Sequence, residues 1–375
     1  MHNPPPLAIY VHWPFCKKKC PYCDFNSHVR EQVDHAAWRE ALLKELDYWR
    51  TQTANHRVTS IFFGGGTPSL MEPATIAAII SDVRSGWDCA SDIEITMEAN
   101  PTSVEAAKFH DIAAAGVNRL SLGVQSLRQE SLAFLGREHS AREALYSLEL
   151  AAKYFPRYSF DLIYALPNQT LDAWQKELRE ALRYARGHLS LYQLTIEENT
   201  AFHHSYHVKK SFALPPEPIA AAMYEVTQQI MHEAGLPAYE ISNHAAATHA
   251  SRHNLSYWRA EAYLGIGPGA HGRVDMGENR IATRTFKSPE RWLEHMQHHS
   301  NAVEESVVLT PQERLEETVL MGLRLVEEGM DAALLSAAKT APLIAQQLLQ
   351  QHGDIIRVSP KGALLLNRVI AALLL

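Results

Sequence analysis

Residues 10–25 read YVHWPFCKKKCPYCDF, an apolar segment that leads directly into a loop with three of the chain's four cysteines. Cys16, Cys20 and Cys23 have the spacing Cys-x3-Cys-x2-Cys. Three thiolates on one short loop can hold three irons of a cubic iron–sulfur cluster and leave the fourth iron without a protein ligand. Because an open iron can bind a substrate or a cofactor, the loop predicts a site for chemistry.

Two other interpretations of these cysteines stay open from spacing alone. A structural zinc site requires four ligands, so Cys89, His12 or His28 would have to complete it. The thiols would otherwise be ordinary loop cysteines. A disulfide framework fits poorly, because three thiols cannot all pair and 4 cysteines in 375 residues do not make a secreted scaffold.

The composition excludes several function classes. A net charge of −7 argues against a general nucleic-acid binder, which would carry a basic excess. No run reaches the roughly 18 apolar residues that a membrane span requires, and no signal peptide is visible. Clustered, reduced cysteines then favour a cytoplasmic location.

Six apolar segments alternate with helical patterns over the first 200 residues. Most of the apolar segments lack strict alternation, as expected for strands buried on both faces. Six β-α repeats predict a parallel sheet with right-handed crossovers. Since a closed barrel needs eight units, we expect an α/β fold with a partial, TIM-like (β/α)6 barrel. The predicted strands are 7–12, 59–63, 92–98, 119–124, 158–165 and 190–195, and the predicted helices are 34–50, 73–84, 103–115, 141–154 and 171–185.

The pattern changes after residue 200. A helix is predicted over 216–234, and a capping box at Thr310-x-x-Glu313 predicts another that ends near Gly329. Similar boxes begin helices at Thr102-x-x-Glu105 and Ser140-x-x-Glu143. A short strand at 354–358, a turn at 360–362 and a last helix follow. We therefore expect a barrel domain at 1–235 and a smaller, mostly helical domain at 236–375.

Polar residues follow the predicted strands at the edge where such sheets bind ligands. Residues 64–68 read GGGTP, which either exposes backbone donors to a ligand or forms a tight turn. Glu98 and Gln125 end the third and fourth strands, and Asp161 lies inside the fifth. A buried charge costs several kcal/mol unless it is paired. Glu98 and Asp161 are therefore held either for a ligand or in an internal ion pair, for which Arg137 is a partner.

Together these segments resemble the radical S-adenosylmethionine (SAM) superfamily, and more narrowly the oxygen-independent coproporphyrinogen III oxidase-like family. The resemblance covers most of the chain. The matching segments are YVHWPFCKKKCPYCDF, FFGGGTPSL, ITMEANP, RLSLGVQS, LGREH, DLIYALP, HNLSYW and YLGIGPGAHG.

The resemblance implies that the three clustered cysteines bind a [4Fe-4S] cluster whose fourth iron chelates SAM. One electron from the cluster would cleave SAM to methionine and a 5′-deoxyadenosyl radical, while the protein supplies orientation and shielding. The positions that surround SAM in the family are matched by Tyr10, Gly65, Gly66, Thr67, Glu98, Gln125, Arg137 and Asp161.

Two differences separate this chain from the oxidases. The oxidases carry a further cysteine at the position of Phe25, and they have a longer segment ahead of the cluster motif than this chain has. Both differences match the HemW subgroup of the family, known as heme-binding proteins that deliver heme to acceptor proteins. Its heme-associated motif, HNxxYW, is matched by His253, Tyr257 and Trp258. His271 is a second candidate ligand, and a packed histidine beside aromatic rings is the alternative interpretation.

The resemblance thus implies a heme chaperone with a [4Fe-4S] cluster and SAM. Its expected partners are heme, heme-acceptor proteins, a reductant such as flavodoxin or ferredoxin, and a second copy in a homodimer. The cysteine loop also contains Lys17, Lys18 and Lys19. These lysines form a basic patch that docks an acidic electron donor or the heme propionates, or they are simply a solvated loop. Two other classes compete: an oxidoreductase of porphyrin biosynthesis that decarboxylates coproporphyrinogen III, and a structural cluster protein without SAM turnover.

Overall fold

The structure, a computed structural model, describes residues 4–374. It is organised around one sheet of eleven strands. In chain order these are β1 (Pro6–Trp13), β2 (Arg57–Gly65), β3 (Asp88–Ala99), β4 (Arg119–Gln125), β5 (Arg157–Tyr164), β6 (His188–Gln193), β7 (Asn243–Ala245), β8 (Ala262–Ile266), β9 (His271–Met276), β10 (Asn279–Thr285) and β11 (Val303–Val308).

The strand order across the sheet is β11-β10-β9-β8-β1-β2-β3-β4-β5-β6-β7. Strands β1 to β6 run parallel to one another, and β8 joins β1 in parallel. Strands β7, β9, β10 and β11 pair in antiparallel fashion. The six predicted strands are present in the predicted order, which confirms the six-unit parallel sheet.

Helices follow the strands and bury apolar side chains against the sheet. Leu42, Ile79 and Leu148, on three of these helices, are almost fully buried in one core with Ile61 and Ile95 of β2 and β3. The helices are His35–Gln52, Pro73–Gly86, Ser103–Ala106, Phe109–Ala114, Gln129–Phe134, Ala141–Tyr154, Leu171–Ala181, Ala201–His203, the π-helix His204–Val208, Glu217–Glu233, Arg252–Trp258, Pro289–His298, Pro311–Gly322, Ala337–Ala345, Pro360–Ala363 and Leu366–Leu374, with short 3-10 turns at Pro68–Leu70 and Ala332–Leu334. The single helix predicted over 103–115 is two short ones.

Two of the three predicted capping boxes form. Ser140 and Thr310 close theirs with the glutamate three residues later. At Thr102 the side chain accepts from the backbone N–H of Glu105, but the Glu105 carboxylate does not return the bond. It accepts instead from Ser69 and from the backbone N–H of Asn100, so this box was predicted wrongly.

The chain after residue 235 continues the large sheet. Strands β7 to β11 belong to it, so this part contains more strand than predicted. The helix after Thr310 ends at Gly322, not near Gly329, and residues 360–362 lie in the short helix Pro360–Ala363 rather than in a turn. A second apolar core follows around a small sheet of β12 (Met330–Asp331), β13 (Leu349–His352) and β14 (Ile355–Val358).

The large sheet continues across the predicted domain boundary at residue 235, because β7 to β11 follow that residue and belong to the same sheet as β1 to β6. As a division into separately folding units, 1–235 and 236–375, the boundary stays a prediction. No helix within residues 4–374 combines the length and the apolar character needed to cross a membrane.

Candidate functional site

A cavity of about 650 Å³ opens at the carboxyl edge of β1 to β6. This volume lies in the range of small-molecule sites, about 300–1,000 Å³. We call it the cysteine cavity. The predicted residues that line it are Cys16, Cys20, Cys23, Gly65, Gly66, Thr67, Glu98, Gln125, Arg137 and Asp161. They meet there because neighbouring parallel strands end at the same edge of a sheet.

The glycine loop after β2 holds the cysteine loop in place. The N–H of Gly66 donates to the carbonyl of Trp13 at 2.7 Å, and the N–H of Thr67 donates to the carbonyl of Phe15 at 2.8 Å. A Cβ atom added to Gly66 would lie 2.7 Å from that Phe15 oxygen. The glycine therefore permits close approach of two backbones.

Two of the three clustered thiols receive hydrogen bonds from side chains across the cavity. Thr67 Oγ1 donates to Cys16 Sγ at 3.3 Å, and Arg137 Nη1 donates to Cys20 Sγ at 3.3 Å. Burial raises the pKa of the Cys16 thiol, despite the hydrogen bond from Thr67. Hydrogen bonds of this kind stabilise the thiolates of an iron–sulfur cluster. The donor set therefore fits a cluster on this loop.

Asn100 connects the two donors. Its Nδ2 donates to Thr67 Oγ1 at 3.3 Å, and its Oδ1 accepts from Arg137 Nη2 at 2.6 Å. The sequence analysis did not single out Asn100, although its place directly after β3 was a signal. Its role is to orient Thr67 and Arg137 toward the two thiols.

Two half-buried carboxyl groups, Glu98 and Asp161, line the cavity close enough to interact electrostatically. Burial and the neighbouring Asp161 raise the pKa of Glu98 to about 8, although the Gly65 N–H donates to Glu98 Oε2 at 3.2 Å. Burial raises the pKa of Asp161 to about 6. The expected ion pair with Arg137 does not form, because that guanidinium bonds Cys20, Asn100 and the carbonyl of Gly123.

Gln125 also indicates a ligand site. It ends β4 with φ 68, a left-handed conformation that is uncommon outside glycine. Its Oε1 is buried and has no hydrogen-bond partner within the described residues, and the same holds for Arg137 Nε. Buried polar atoms are normally paired. Orphaned atoms on a cavity wall fit a polar cofactor such as SAM.

The zinc interpretation gains no ligand from the fold. Cys89 pairs with Val58 near the amino ends of β2 and β3, at the opposite edge of the sheet from the cysteine loop. His12 Nε2 bonds the carbonyl oxygen of Asn26 at 2.9 Å, and His28 Nε2 shares a hydrogen bond with Asn26 Oδ1 at 3.0 Å. Across residues 4–374, no three His, Cys, Asp or Glu side chains converge on a single metal position.

A second cavity, of about 660 Å³, adjoins the first. We call it the aromatic cavity. Gly65, Glu98 and Phe25 line both cavities. Other lining residues come from β1, from the helix Arg252–Trp258, from β8 to β10 and from the segment directly after β10: Tyr10, His12, Tyr257, Trp258, Tyr263, His271, Arg273, Arg280, Arg284 and Lys287. Tyr10, which was expected in the SAM set, lines this cavity together with Glu98, whose charge affects the Tyr10 pKa.

The predicted heme residues separate into two groups. Tyr257 and Trp258 line the aromatic cavity, as does His271. His253 lines neither cavity, since its side chain is fully buried between Ser60 and Tyr257. The cationic residues of this cavity, Arg273, Arg280, Arg284 and Lys287, were not predicted from the sequence. The signal for the first of them was the alternation of polar and apolar residues in HGRVDM, residues 271–276.

Comparisons with known proteins agree with this architecture. The radical SAM superfamily model matches residues 10–181, and the HemN C-terminal domain model matches residues 309–365. A solved structure of coproporphyrinogen III oxidase (HemN) from Escherichia coli, a radical SAM enzyme, superposes with a TM-score of 0.81 at 24% identity, covering 99% of this chain and 90% of that chain. That match confirms the predicted fold class, and at this identity it shows the fold alone.

Two curated relatives are closer in sequence. "Radical S-adenosyl methionine domain-containing protein 1, mitochondrial" of Danio rerio is 40% identical over 325 residues, covering 85% of this chain and 73% of the relative. "Heme chaperone HemW" of Escherichia coli (strain K12) is 42% identical over 283 residues, covering 75% of this chain and 74% of the relative. The chain therefore belongs to the radical SAM superfamily with a HemN C-terminal domain, in the family that contains HemW and radical S-adenosyl methionine domain-containing protein 1.

Proposed function

We propose that this chain is a heme chaperone that binds heme in the aromatic cavity and delivers it to acceptor proteins. The observation that carries the proposal is this cavity, which is lined both by Tyr257, Trp258 and Tyr263 and by arginine and lysine side chains. Aromatic rings pack on the flat face of a porphyrin, and cationic groups pair with its propionates. The name of the Escherichia coli relative supports the same function.

Membership of the superfamily implies a [4Fe-4S] cluster and SAM as cofactors. We propose Cys16, Cys20 and Cys23 as the cluster ligands. Bound there, the cluster and SAM would supply one-electron reductive chemistry. The chain's own residues do three things: Thr67 and Arg137 donate to the thiols, Gly65 orients Glu98, and the orphaned Gln125 oxygen accepts from a bound ligand.

We propose the remaining predicted residues of the cysteine cavity, Gly66 and Asp161 among them, as SAM contacts. Tyr10 is a more remote candidate, because its hydroxyl bonds His12 Nδ1 at 3.0 Å and its ring lines the aromatic cavity. Measurement of SAM affinity for Glu98→Gln and Tyr10→Phe checks this assignment. The first variant should weaken SAM binding and the second should leave it close to the wild type.

Phe25 favours the chaperone over the oxidase. It stands where the oxidases carry a further cysteine, and its side chain is 58% exposed at the border of the two cavities. An exposed aromatic ring offers packing area to a flat ligand and no metal or redox chemistry.

The partners follow from this proposal. Lys17, Lys18 and Lys19 are all exposed on the cysteine loop, which supports docking of an acidic reductant such as flavodoxin or ferredoxin. A homodimer and a cytoplasmic location are also proposed. For the location, the Danio rerio relative is described as mitochondrial, so the two groups of relatives differ.

The test is an anaerobic heme titration of cluster-reconstituted protein, followed by transfer of the bound heme to apomyoglobin as a model acceptor. Saturable binding and transfer faster than from free heme aggregates support a chaperone. Absence of saturable binding contradicts it. Conversion of coproporphyrinogen III propionates to vinyl groups, under reducing conditions with SAM, would instead establish the oxidase activity.

A further inference from the structure

Three histidines stand at or near the aromatic cavity, and they differ in access. His12 lines it, but its Nδ1 bonds the Tyr10 hydroxyl at 3.0 Å and its Nε2 bonds the carbonyl oxygen of Asn26 at 2.9 Å, so neither nitrogen is available to an iron. His253 lies in the helix Arg252–Trp258 with a side chain that is 0% exposed. Its Nδ1 shares a hydrogen bond with Ser60 Oγ at 3.0 Å, and its Nε2 shares one with the Tyr257 hydroxyl at 2.8 Å. Both ring nitrogens are therefore occupied, and neither is available to an iron.

Packing fixes His253 further. Its ring stacks on Phe62 of β2 with centroids 4.8 Å apart. Burial, together with Arg119, lowers the pKa of His253 to about 3, which is typical of an imidazole enclosed in a core. To reach the cavity it would have to leave the core and give up both hydrogen bonds. Its position instead fixes the orientation of Tyr257.

His271 has the opposite environment. It is the exposed first residue of β9, where buried Gly272 and Val274 alternate with residues that face the cavity. Within the described residues its imidazole makes no hydrogen bond, and it lines the aromatic cavity. Partial burial and the neighbouring Arg273 and Arg284 lower its pKa, so the ring is neutral, the form that ligates iron.

The groups around His271 match the rest of a heme. Tyr257 meets Tyr263 edge-on with ring centroids 4.6 Å apart, which forms an aromatic wall. The Trp258 indole Nε1 is buried without a hydrogen-bond partner among residues 4–374. Arg284 is already paired with Glu304 and Glu305, whereas Lys287 is exposed and has no carboxylate partner in the described part of the chain. Arg273 pairs with Glu317 and Arg280 with Asp275, so Lys287 is the lining cation that remains for a propionate.

We propose that His271 is the heme-iron ligand in the aromatic cavity, that Lys287 binds a heme propionate, and that His253 is a positioning residue that holds Tyr257 against the porphyrin. This assignment rests on the proposed heme-chaperone function. It differs from the expectation that the histidine of the HNLSYW segment binds the iron.

The first test is an anaerobic heme titration of the full, cluster-reconstituted chain, read by absorbance and by the iron–histidine band in resonance Raman spectra. His271→Ala should lose the band and weaken heme affinity by tenfold or more, since even an outer partner of a metal ligand is worth about 10- to 100-fold. Added imidazole should restore the band. His253→Gln should keep it, and His110→Ala, which removes an exposed histidine of the helix Phe109–Ala114, should behave as wild type.

The outcomes separate this inference from the function on which it rests. If His253→Gln loses the band while its circular dichroism is unchanged, or if His271→Ala keeps the band, the assignment is wrong and the chaperone proposal survives. If the wild type shows no saturable heme binding, both fail.

The second test examines the propionate contact with heme dimethyl ester, which lacks the carboxylate charges. Lys287→Gln should weaken heme binding but leave ester binding unchanged, and Lys209→Gln, an exposed lysine elsewhere, should alter neither. Equal weakening of heme and ester binding by Lys287→Gln would contradict the propionate assignment.

Discussion

Single hydrogen bonds to sulfur set the local environment of the cysteine loop. Thr67 donates to Cys16, Arg137 donates to Cys20, and Asn100 bonds both donors. A donor to a cluster thiolate stabilises the more negative, reduced state and so raises the reduction potential. These side chains line the cavity, so each of these hydrogen bonds can be removed separately by a single substitution.

We expect Thr67→Val to lower the midpoint potential of the reconstituted cluster. A neutral hydrogen bond contributes about 1 kcal/mol, and tenfold in a one-electron equilibrium is about 59 mV, so the decrease should be some tens of millivolts. A redox titration followed by electron paramagnetic resonance measures it. Thr96→Val is the matched control, because Thr96 is equally buried and its hydroxyl has no partner among residues 4–374. An unchanged potential in Thr67→Val would refute the role of this bond.

At the scale of elements, the buried parallel strands could be predicted because β-branched and aromatic residues dominate them. Strands β9 and β10 were not predicted, because they carry several arginines and an aspartate and contain few of the apolar residues that mark the buried strands, although polar and apolar residues alternate in β9. The burial of His253 also could not be predicted from the sequence, because its hydrogen-bond partner Ser60 lies 193 residues earlier in the chain. Sequence patterns report local periodicity, whereas these features depend on contacts between distant segments.

The contact between the glycine loop and the cysteine loop gives a second prediction. Gly66→Ala should place its Cβ against the Phe15 backbone and displace the cysteine loop, since the nearest atom there is backbone oxygen. Overpacking of this kind costs about 1–3 kcal/mol. Iron content after reconstitution should fall, together with the free energy of unfolding measured in urea.

Gly277→Ala is the control for this substitution. Gly277 has φ 62 and nothing within 4 Å of the added Cβ, so only backbone strain changes there. If both variants retain wild-type iron content, the close approach at Gly66 is not required for the cluster.

A third prediction concerns the helix His35–Gln52, which carries a fully buried glutamate. Glu45 accepts from the backbone N–H groups of Gly267 at 2.8 Å and Ala302 at 3.2 Å. Burial raises its pKa from 4.5 to about 7. The folded state thus holds this proton more tightly than the unfolded state, so the stability it contributes is complete below pH 4.5 and is lost as the pH rises through 7.

Glu45→Gln should remove this loss, which amounts to about 3 kcal/mol between pH 4.5 and 7 at 1.36 kcal/mol per pH unit. Urea unfolding at pH 5 and pH 8 measures the change for each variant. Glu40→Gln, an exposed glutamate of the same helix, should keep the wild-type difference. A Glu45→Gln protein with that same difference would contradict the assignment.

At the scale of the whole molecule, ion pairs connect the C-terminal part to the large sheet. Arg273 of β9 bonds both oxygens of Glu317, in the helix Pro311–Gly322, through its Nε at 3.0 Å. Arg259 forms a similar pair with Glu328. The pair at Arg273 borders the aromatic cavity, so it links the position of the C-terminal helix to that site.

A double-mutant cycle with Arg273→Gln and Glu317→Gln should give a coupling energy of up to about 1 kcal/mol, because the pair is bidentate and only partly exposed. The Asp172 and Lys176 pair is more than two-thirds exposed and should give about 0.3–0.5 kcal/mol, the usual value for neighbours on one helix. Thermal unfolding of the six variants and the wild type provides both values. Equal coupling energies in the two cycles would show that the bidentate geometry of the Arg273 and Glu317 pair adds nothing to its stability contribution.

Gly65 and Glu98 line both cavities, so a single backbone segment and one carboxyl group form a common partition. Thermodynamic linkage then requires that each occupant change the affinity of the other by the same factor. If heme and SAM occupy these two compartments as proposed, cargo loading and cofactor loading are one coupled equilibrium, with the same total free energy whichever compartment fills first.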